Sequence, residues 1–120
     1  MDFTPVLDAL ETLRIADVPE ESDLHALIAR AFQARGLDFE HEAVLGPGKR
    51  VDFLVDGIAI EVKKGKPVKS RLLTQLKGYL QSEKVHGIIV VAQQRVLLPQ
   101  TLNGKPIKCV VLNRLWGIAL

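Results

Sequence analysis

The stretch KRVDFLVDGIAIEVKK, residues 49–64, contains the strongest structural signal of the sequence. It holds two apolar runs rich in β-branched residues, which are typical of strands. Between them lies Asp56-Gly57, a strong signal for a two-residue hairpin loop. With that loop, Val55 faces Ile58 and the pairing continues outward in a fixed register. The stretch therefore predicts an antiparallel β-hairpin.

The predicted register divides the hairpin into two faces. One face is wholly apolar and is expected to pack in the core: Val51, Phe53, Val55, Ile58, Ile60 and Val62. The other face contains ionisable groups: Arg50, Asp52, Leu54, Ala59, Glu61 and Lys63. Asp52 is thereby placed opposite Glu61, with Cβ atoms about 4.5–5.5 Å apart.

Two facing carboxylates need a physical explanation. At roughly 5 Å and an effective dielectric of about 20, their repulsion costs about 3 kcal/mol. A divalent cation between them reverses the sign, and hard carboxylate oxygens suit Mg²⁺, with Mn²⁺ as a substitute. Two alternatives stay open: a solvated face on which the acids pair with Arg50 and Lys63, and a slip of one residue that separates them.

The flanking segments predict the element order α-α-β-β-β-α-β-β. Thr4 is the expected N-cap of the first helix, with Pro5 in its first turn. The helices are expected at about residues 4–14, from 22 to the break at Gly36, and 69–84, and the other strands at 37–45, 87–92 and 107–112. Residues 93–105 are expected to form a loop, with or without one helical turn.

Composition limits the classes of protein. The chain has 120 residues, 48% of them hydrophobic, which is enough for one domain with its own core. The single Cys109 and the lack of zinc-ligand spacing favour a reduced, cytoplasmic protein without structural zinc. No export signal or membrane span is expected. A net charge of +2 permits a nucleic-acid partner without requiring one.

The hairpin also carries a family resemblance. VDFLVDGIAIEVK resembles the core motif of the PD-(D/E)XK nuclease superfamily, in which an acid on one strand precedes an acid-x-Lys triplet on the next. Asp52 matches the first acid, Glu61 the second acid and Lys63 the lysine. Val51 stands where the family has its proline.

The resemblance spans about residues 21–112 and implies a restriction-endonuclease-like αβββαβ core, a central mixed sheet flanked by helices, here with an extra N-terminal helix. It implies an Mg²⁺-dependent endonuclease that hydrolyses DNA phosphodiester bonds and leaves a 5′-phosphate and a 3′-hydroxyl. The compact size is similar to that of Holliday junction resolvases and small phage or bacterial nucleases. A resolvase-like enzyme would be a symmetric homodimer. A second class stays open, a non-catalytic nucleic-acid-binding or interaction domain that keeps the fold.

The resemblance assigns roles to the motif residues. Asp52 and Glu61 would hold one or two Mg²⁺ ions, which acidify water and neutralise phosphate oxygens. Lys63 lies two residues beyond Glu61 on the same face, where its ammonium can orient water or bind the scissile phosphate.

A helical glutamate commonly completes the metal site in such enzymes. Glu21 lies at the matching place, and Glu20 is the runner-up. Glu21 has a second interpretation, in which it only complements the positive end of its helix. Glu40 and Glu42, on the strand before the hairpin, are alternative ligands.

The third helix offers accessory residues. Arg71, Gln75 and Tyr79 are spaced to share one face, and TQLKGYL resembles the superfamily helix that sends a polar side chain to the active site. Gln75 and Tyr79 are accessory candidates, Gln75 for catalysis, and Arg71 and Tyr79 are candidates for nucleic-acid binding. An exposed face without function is the alternative.

The segment before that helix, KKGKPVKSR, is rich in basic residues. Lys64, Lys66 and Lys69, together with Arg50 on the hairpin, are expected to bind the phosphate backbone. A solvated loop is the alternative.

Two further expectations concern residues to which the sequence pattern gives no partner. Trp116 should be a core or oligomer contact, and the histidines should lie unpaired at the surface or half-buried: His25, His41 and His86.

Overall fold

The computed structural model describes residues 2–13 and 21–112, and of Glu21 only the backbone. This part contains three helices and six strands: α1 Thr4–Glu11, α2 Glu21–Ala34, β1 Glu40–Gly46, β2 Lys49–Val55, β3 Ile58–Lys63, α3 Lys69–Leu80, β4 Gly87–Ala92, β5 Thr101–Leu102 and β6 Lys105–Val111. Within these ranges, no helix is both long and apolar enough to cross a membrane.

The β2–β3 hairpin has the predicted register. Asp56 and Gly57 have φ angles of 50° and 82°, as a type I′ turn requires. The backbone pairs follow from that loop: Val55 with Ile58, Leu54 with Ala59 and Phe53 with Ile60. The alternative of a one-residue slip is therefore wrong.

The hairpin belongs to a mixed sheet with the strand order β1-β2-β3-β4-β6-β5. The first three strands are antiparallel, whereas β3, β4 and β6 run parallel. The crossover from β3 to β4 is α3, because parallel neighbours cannot be joined by a tight turn. The expected α/β class with a mixed sheet flanked by helices is confirmed.

The centre of the sheet is covered on both faces. Every residue of β4, and every residue of β3 up to Val62, is buried. One apolar cluster joins α1 and α2 to the sheet, and a second joins α3 to the sheet. Central strands buried on both faces explain why β4 reads as an unbroken apolar run.

The helix ends differ from the expected ones. Phe3 is the N-cap of α1 in place of Thr4, whose backbone N–H instead donates to Asp2 Oδ1. Helix α1 ends at Glu11, and the expected end at Arg14 lies outside the described residues. Helix α3 ends at Leu80 rather than Lys84.

A lysine from β6 caps the C-terminal end of α3. The Lys105 ammonium donates to the backbone oxygens of Leu80, at 3.0 Å, and Val85, at 2.7 Å. Carbonyls at a helix end lack intrahelical partners, and the lysine supplies one. This contact depends on β6 and could not be foreseen from the helix sequence.

The segment expected as a loop contains a second hairpin. Thr101 pairs with Pro106 and Leu102 with Lys105, so β5 precedes β6. The turn is Asn103-Gly104, with φ angles of 53° and 75°. The sequence contains this Asn-Gly signal, which is as specific as the Asp-Gly of the first hairpin.

One part of the predicted apolar face is wrong. Val51 was expected beside Phe53, but it packs in the α3 cluster with its ladder partner Ala43. Phe53 packs in the α2 cluster and stacks on its own partner, His41. Between His41 and Ala43 lies Glu42, whose φ of 56° is uncommon for a residue other than glycine. This backbone kink interrupts the regular alternation of faces.

Candidate functional site

We call Asp52, Glu61 and Lys63 the acid–lysine cluster. Glu61 and Lys63 are on β3, and Asp52 lies between Val51 and Phe53, which pack in different apolar clusters. Glu61 is only 4% exposed. Its Oε2 lies 2.9 Å from Lys63 Nζ, and its Oε1 accepts a hydrogen bond of 3.0 Å from the Tyr79 hydroxyl. The alternative of a solvated face is therefore wrong for Glu61, although the pairing with Lys63 that it foresaw is present.

Burial raises the pKa of Glu61, and the neighbouring charge of Asp52 raises it further. The contacts from Lys63 and Tyr79 act in the opposite direction. The net upward shift means that the folded protein holds this carboxylate against an electrostatic cost. The upward effect of Asp52 on the pKa of Glu61 is the repulsion that the sequence predicts between the two acids.

Asp52 is held where the regular β2–β3 ladder ends. Its Oδ2 accepts a hydrogen bond of 2.7 Å from the Val62 backbone N–H. The last backbone pair of the ladder is Phe53 with Ile60, so the carboxylate serves as acceptor one step beyond it. Asp52 is half-buried, and this bond fixes its orientation beside Glu61.

Tyr79 supports Glu61 from α3. It is 3% exposed, and its hydroxyl also lies 3.2 Å from the Arg50 backbone oxygen. Burial, followed by the charge of Glu61, holds the pKa of Tyr79 far above its ordinary value, so the hydroxyl remains a donor. Gln75 hydrogen-bonds to the same hydroxyl. Tyr79 is therefore buried beside Glu61, and both residues of the predicted accessory pair, Gln75 and Tyr79, lie at the site.

Two shallow clefts meet at Gln75. The larger cleft, of about 470 Å³, is lined by Lys63, Pro67, Val68, Arg71, Leu72, Thr74 and Gln75. The other, of about 220 Å³, has this lining: Gly48, Lys49, Arg50, Thr74, Gln75, Gly78 and Tyr79. The remaining basic candidates are exposed nearby in the chain: Lys64, Lys66 and Lys69. The acid–lysine cluster therefore adjoins open, basic surface.

The proposed third acid is described only in part. The backbone of Glu21 begins α2, but its side chain lies outside the described residues, as do Glu20 and Trp116. Four residues into α2, His25 approaches the site, with Nε2 3.6 Å from Asp52 Oδ2.

The expectation of unpaired histidines is wrong for His25 and His41. His25 is buried between α2 and the hairpin, and its Nδ1 lies 2.9 Å from His41 Nε2. Glu42 Oε1 is 3.8 Å from the first nitrogen and 3.7 Å from the second. We call His25, His41 and Glu42 the imidazole cluster. Among the alternative acids, Glu42 thus approaches the histidines.

Sequence reasoning missed this cluster because its residues meet through packing. His41 is the ladder partner of Phe53, and the His25 ring lies 5.5 Å from that of Phe53. The hairpin register could have placed His41 beside Phe53. No pattern in α2 indicates that His25 packs at the same place.

Comparisons of the chain with models of known protein families, with curated proteins and with solved structures each gave no match. Function is therefore inferred from the residues and their arrangement.

Proposed function

We propose that the protein is an Mg²⁺-dependent endodeoxyribonuclease of the PD-(D/E)XK type, with branched or junction DNA among its substrates. One observation carries the proposal. The carboxylate of Glu61 is buried next to Asp52, between Lys63 and Tyr79, at the edge of an open basic cleft. A fold that keeps two repelling acids together gains from a cation that joins them.

The donor set fits Mg²⁺. Both acids supply hard oxygens, and one or two carboxylates are the usual protein share of a magnesium site. A carboxylate has about four lone-pair sites, so an oxygen that already accepts one hydrogen bond can also bind a cation. The bound ion would acidify water and neutralise charge at the phosphate.

Lys63 has the position for a second role. Its ammonium contacts Glu61 and keeps two further N–H donors on a half-buried side chain that also lines the larger cleft. In the proposed reaction it orients the attacking water or binds the scissile phosphate. Gln75 and Tyr79 hold Glu61 in place from α3.

DNA would approach across the basic surface. Arg71 lines the larger cleft, and Arg50 lines the smaller one. The exposed Lys64, Lys66 and Lys69 extend the same charge. Contacts from such residues neutralise phosphates, and they supply affinity with little dependence on sequence.

A second candidate is a non-catalytic nucleic-acid-binding domain. The observation in its favour is that Lys63 and Tyr79 already satisfy both oxygens of Glu61. In that case the acid–lysine cluster is a structural ion pair, and the protein binds DNA without cutting it.

A cleavage panel separates the two candidates. Duplex, flap, four-way junction and single-stranded DNA, and single-stranded RNA, are incubated with the protein in Mg²⁺, in Mn²⁺ and in chelator, beside a measurement of molar mass. We expect cutting only with metal, with 5′-phosphate ends. Binding without cutting on every substrate would favour the second candidate, and equal cutting in excess chelator would contradict the metal-dependent mechanism.

A further inference from the structure

We propose that the imidazole cluster is a second metal site, which takes a transition-metal ion such as Zn²⁺ in preference to Mg²⁺. Its ligands are His25 Nδ1, His41 Nε2 and Glu42 Oε1. The proposal is independent of nuclease activity, because none of these residues belongs to the acid–lysine cluster.

The distances between the three ligand atoms carry the proposal. They are 2.9 Å for the nitrogen pair, and 3.8 and 3.7 Å from the glutamate oxygen to His25 and His41. A point near the centre of this triangle lies about 2.0 Å from all three atoms, which is the length of Zn–N and Zn–O bonds. The atoms thus already stand at coordination distance around one point.

The backbone at Glu42 makes this arrangement possible. Neighbouring residues of a regular strand point to opposite faces, so His41 and Glu42 should diverge. The φ of 56° at Glu42 interrupts that alternation in the middle of β1. A sparsely populated backbone conformation that brings two metal ligands together is the kind of feature found at functional sites.

The second nitrogen of His25 supports the proposal independently. His25 is 9% exposed, and within the described ranges its buried Nε2 has no hydrogen-bond partner. A metal on Nδ1 would place the ring proton on Nε2, which faces Asp52 Oδ2 at 3.6 Å. A metal-bound histidine commonly directs its other N–H to a carboxylate, which fixes the ring and strengthens the ligand. Asp52 supplies that carboxylate.

The ligand types set the choice of metal. Imidazole nitrogens suit Zn²⁺, Co²⁺, Ni²⁺ and Cu²⁺, whereas Mg²⁺ prefers oxygen. Two histidines and one glutamate leave a fourth position for water, as in catalytic zinc sites. The ion would join α2 to the edge strand β1, so its binding should stabilise the folded protein.

The test uses Co²⁺ as a spectroscopic probe and Zn²⁺ in competition with a chromophoric chelator, on the full chain. We expect one Co²⁺ with the visible absorption of a nitrogen-ligated ion, and its displacement by Zn²⁺ but not by Mg²⁺. His41→Ala and Glu42→Gln should each weaken Zn²⁺ binding by about tenfold or more. Glu42→Gln is close in shape, and its far-ultraviolet circular dichroism checks that the fold is kept.

Two matched variants locate the ion. His86→Ala removes an exposed histidine that precedes β4, and Glu61→Gln removes an acid of the other site. Both should keep the Co²⁺ spectrum and the Zn²⁺ affinity of the parent. Unchanged Zn²⁺ affinity in His41→Ala and Glu42→Gln, loss of the Co²⁺ spectrum in Glu61→Gln, or no Zn²⁺ binding by the parent would overturn the proposal.

Discussion

The acid–lysine cluster and the imidazole cluster approach each other at Asp52 and differ in how the chain forms them. In the first, Glu61 is buried and is held by Lys63 on its own strand and by the hydroxyl of Tyr79 on α3. In the second, an exposed strand histidine meets a buried histidine of α2. The two acids are on neighbouring strands of one hairpin, and a hydrogen bond from the Val62 N–H holds Asp52 there. The histidines instead meet through packing and a backbone kink.

The two clusters also suit two kinds of metal ion. The first cluster offers carboxylate oxygens, which suit Mg²⁺, and the second offers imidazole nitrogens, which suit Zn²⁺. Asp52 lies near members of both clusters. Its charge raises the pKa of Glu61, and its Oδ2 lies 3.6 Å from His25 Nε2. Because the ligand types differ, a substitution in one cluster should leave the metal preference of the other unchanged. Asp52 is the exception, since it lies near both clusters.

The largest expected effect is the loss of cleavage in Glu61→Gln. If Glu61 holds Mg²⁺ as proposed, removing its charge should lower the single-turnover cleavage rate by at least about 100-fold, the scale of losing one group that stabilises transition-state charge. DNA binding should remain, because exposed basic residues supply it. Filter binding and cleavage are measured on the same substrate.

Two controls show whether the effect belongs to the acid–lysine cluster. Glu83→Gln removes an exposed acid just beyond α3, and His41→Ala changes the imidazole cluster alone. Both should cut at the parent rate in Mg²⁺. A Glu61→Gln variant that cuts at the parent rate would remove the distinction between the two clusters.

Neutralising Lys64, Lys66 and Lys69 together should give the next largest effect. For duplex DNA, the slope of log affinity against log salt should become shallower by about 0.9 for each phosphate that the variant no longer neutralises. The measurement is a salt titration of binding, with the exposed Lys84, which lies beyond α3, neutralised as the control. An unchanged slope in the triple variant would assign the basic segment to solvent.

Asp52→Asn should show the metal-dependent part of folding stability. The variant keeps an oxygen that can accept the Val62 N–H and loses one of the repelling charges. In chelator its free energy of unfolding should equal or exceed that of the parent. Mg²⁺ at about ten times its dissociation constant should stabilise the parent by about 1.4 kcal/mol and the variant much less.

Thermal melts at matched ionic strength check this expectation, since screening alone changes stability. Asp56→Asn in the hairpin turn is the control, because asparagine tolerates the positive φ found there. It should keep the Mg²⁺ response of the parent. Asp52→Asn with a lower stability in chelator and a full Mg²⁺ response would make Asp52 a structural acid.

Tyr79→Phe should give the smallest effect. It removes the hydroxyl that contacts Glu61 and the Arg50 backbone, at a cost of about 1 kcal/mol in unfolding free energy. Because that hydrogen bond lowers the pKa of Glu61, its loss should raise this pKa further. Denaturant unfolding and an NMR titration of Glu61 measure the two effects. A fall in this pKa would contradict the role given to Tyr79.

The sequence was most informative where local chemistry determines geometry. Asp56-Gly57 sets the hairpin loop, and the register that follows from it pairs Phe53 with Ile60, so Asp52 and Glu61 are the next residues on the two strands. The same type of signal at Asn103-Gly104 specifies the second hairpin, which the loop prediction overlooked. Turn residues with positive φ were thus the strongest local indicators in this chain.

The remaining differences come from long-range contacts. Lys105 closes the end of α3 from another strand, and the buried place of His25 depends on how α2 packs on Phe53. The φ of Glu42 is not foretold by its residue type, since positive φ favours glycine and asparagine. These features bring together residues that are distant along the chain. The spacing of apolar and polar residues does not predict such contacts.

The pKa of the Glu61 carboxyl group, followed by carbon-13 NMR through a pH titration, shows whether Asp52 and Glu61 share a cation. Burial and Asp52 raise this pKa, so the contribution of Glu61 favours folding below its unfolded-state pKa and is lost as pH rises through the folded-state value. We predict a pKa above the ordinary range in chelator and a marked fall with saturating Mg²⁺. Asp52→Asn should lower it without metal. An identical Glu61 pKa in chelator and in Mg²⁺ would contradict a cation shared by the two acids.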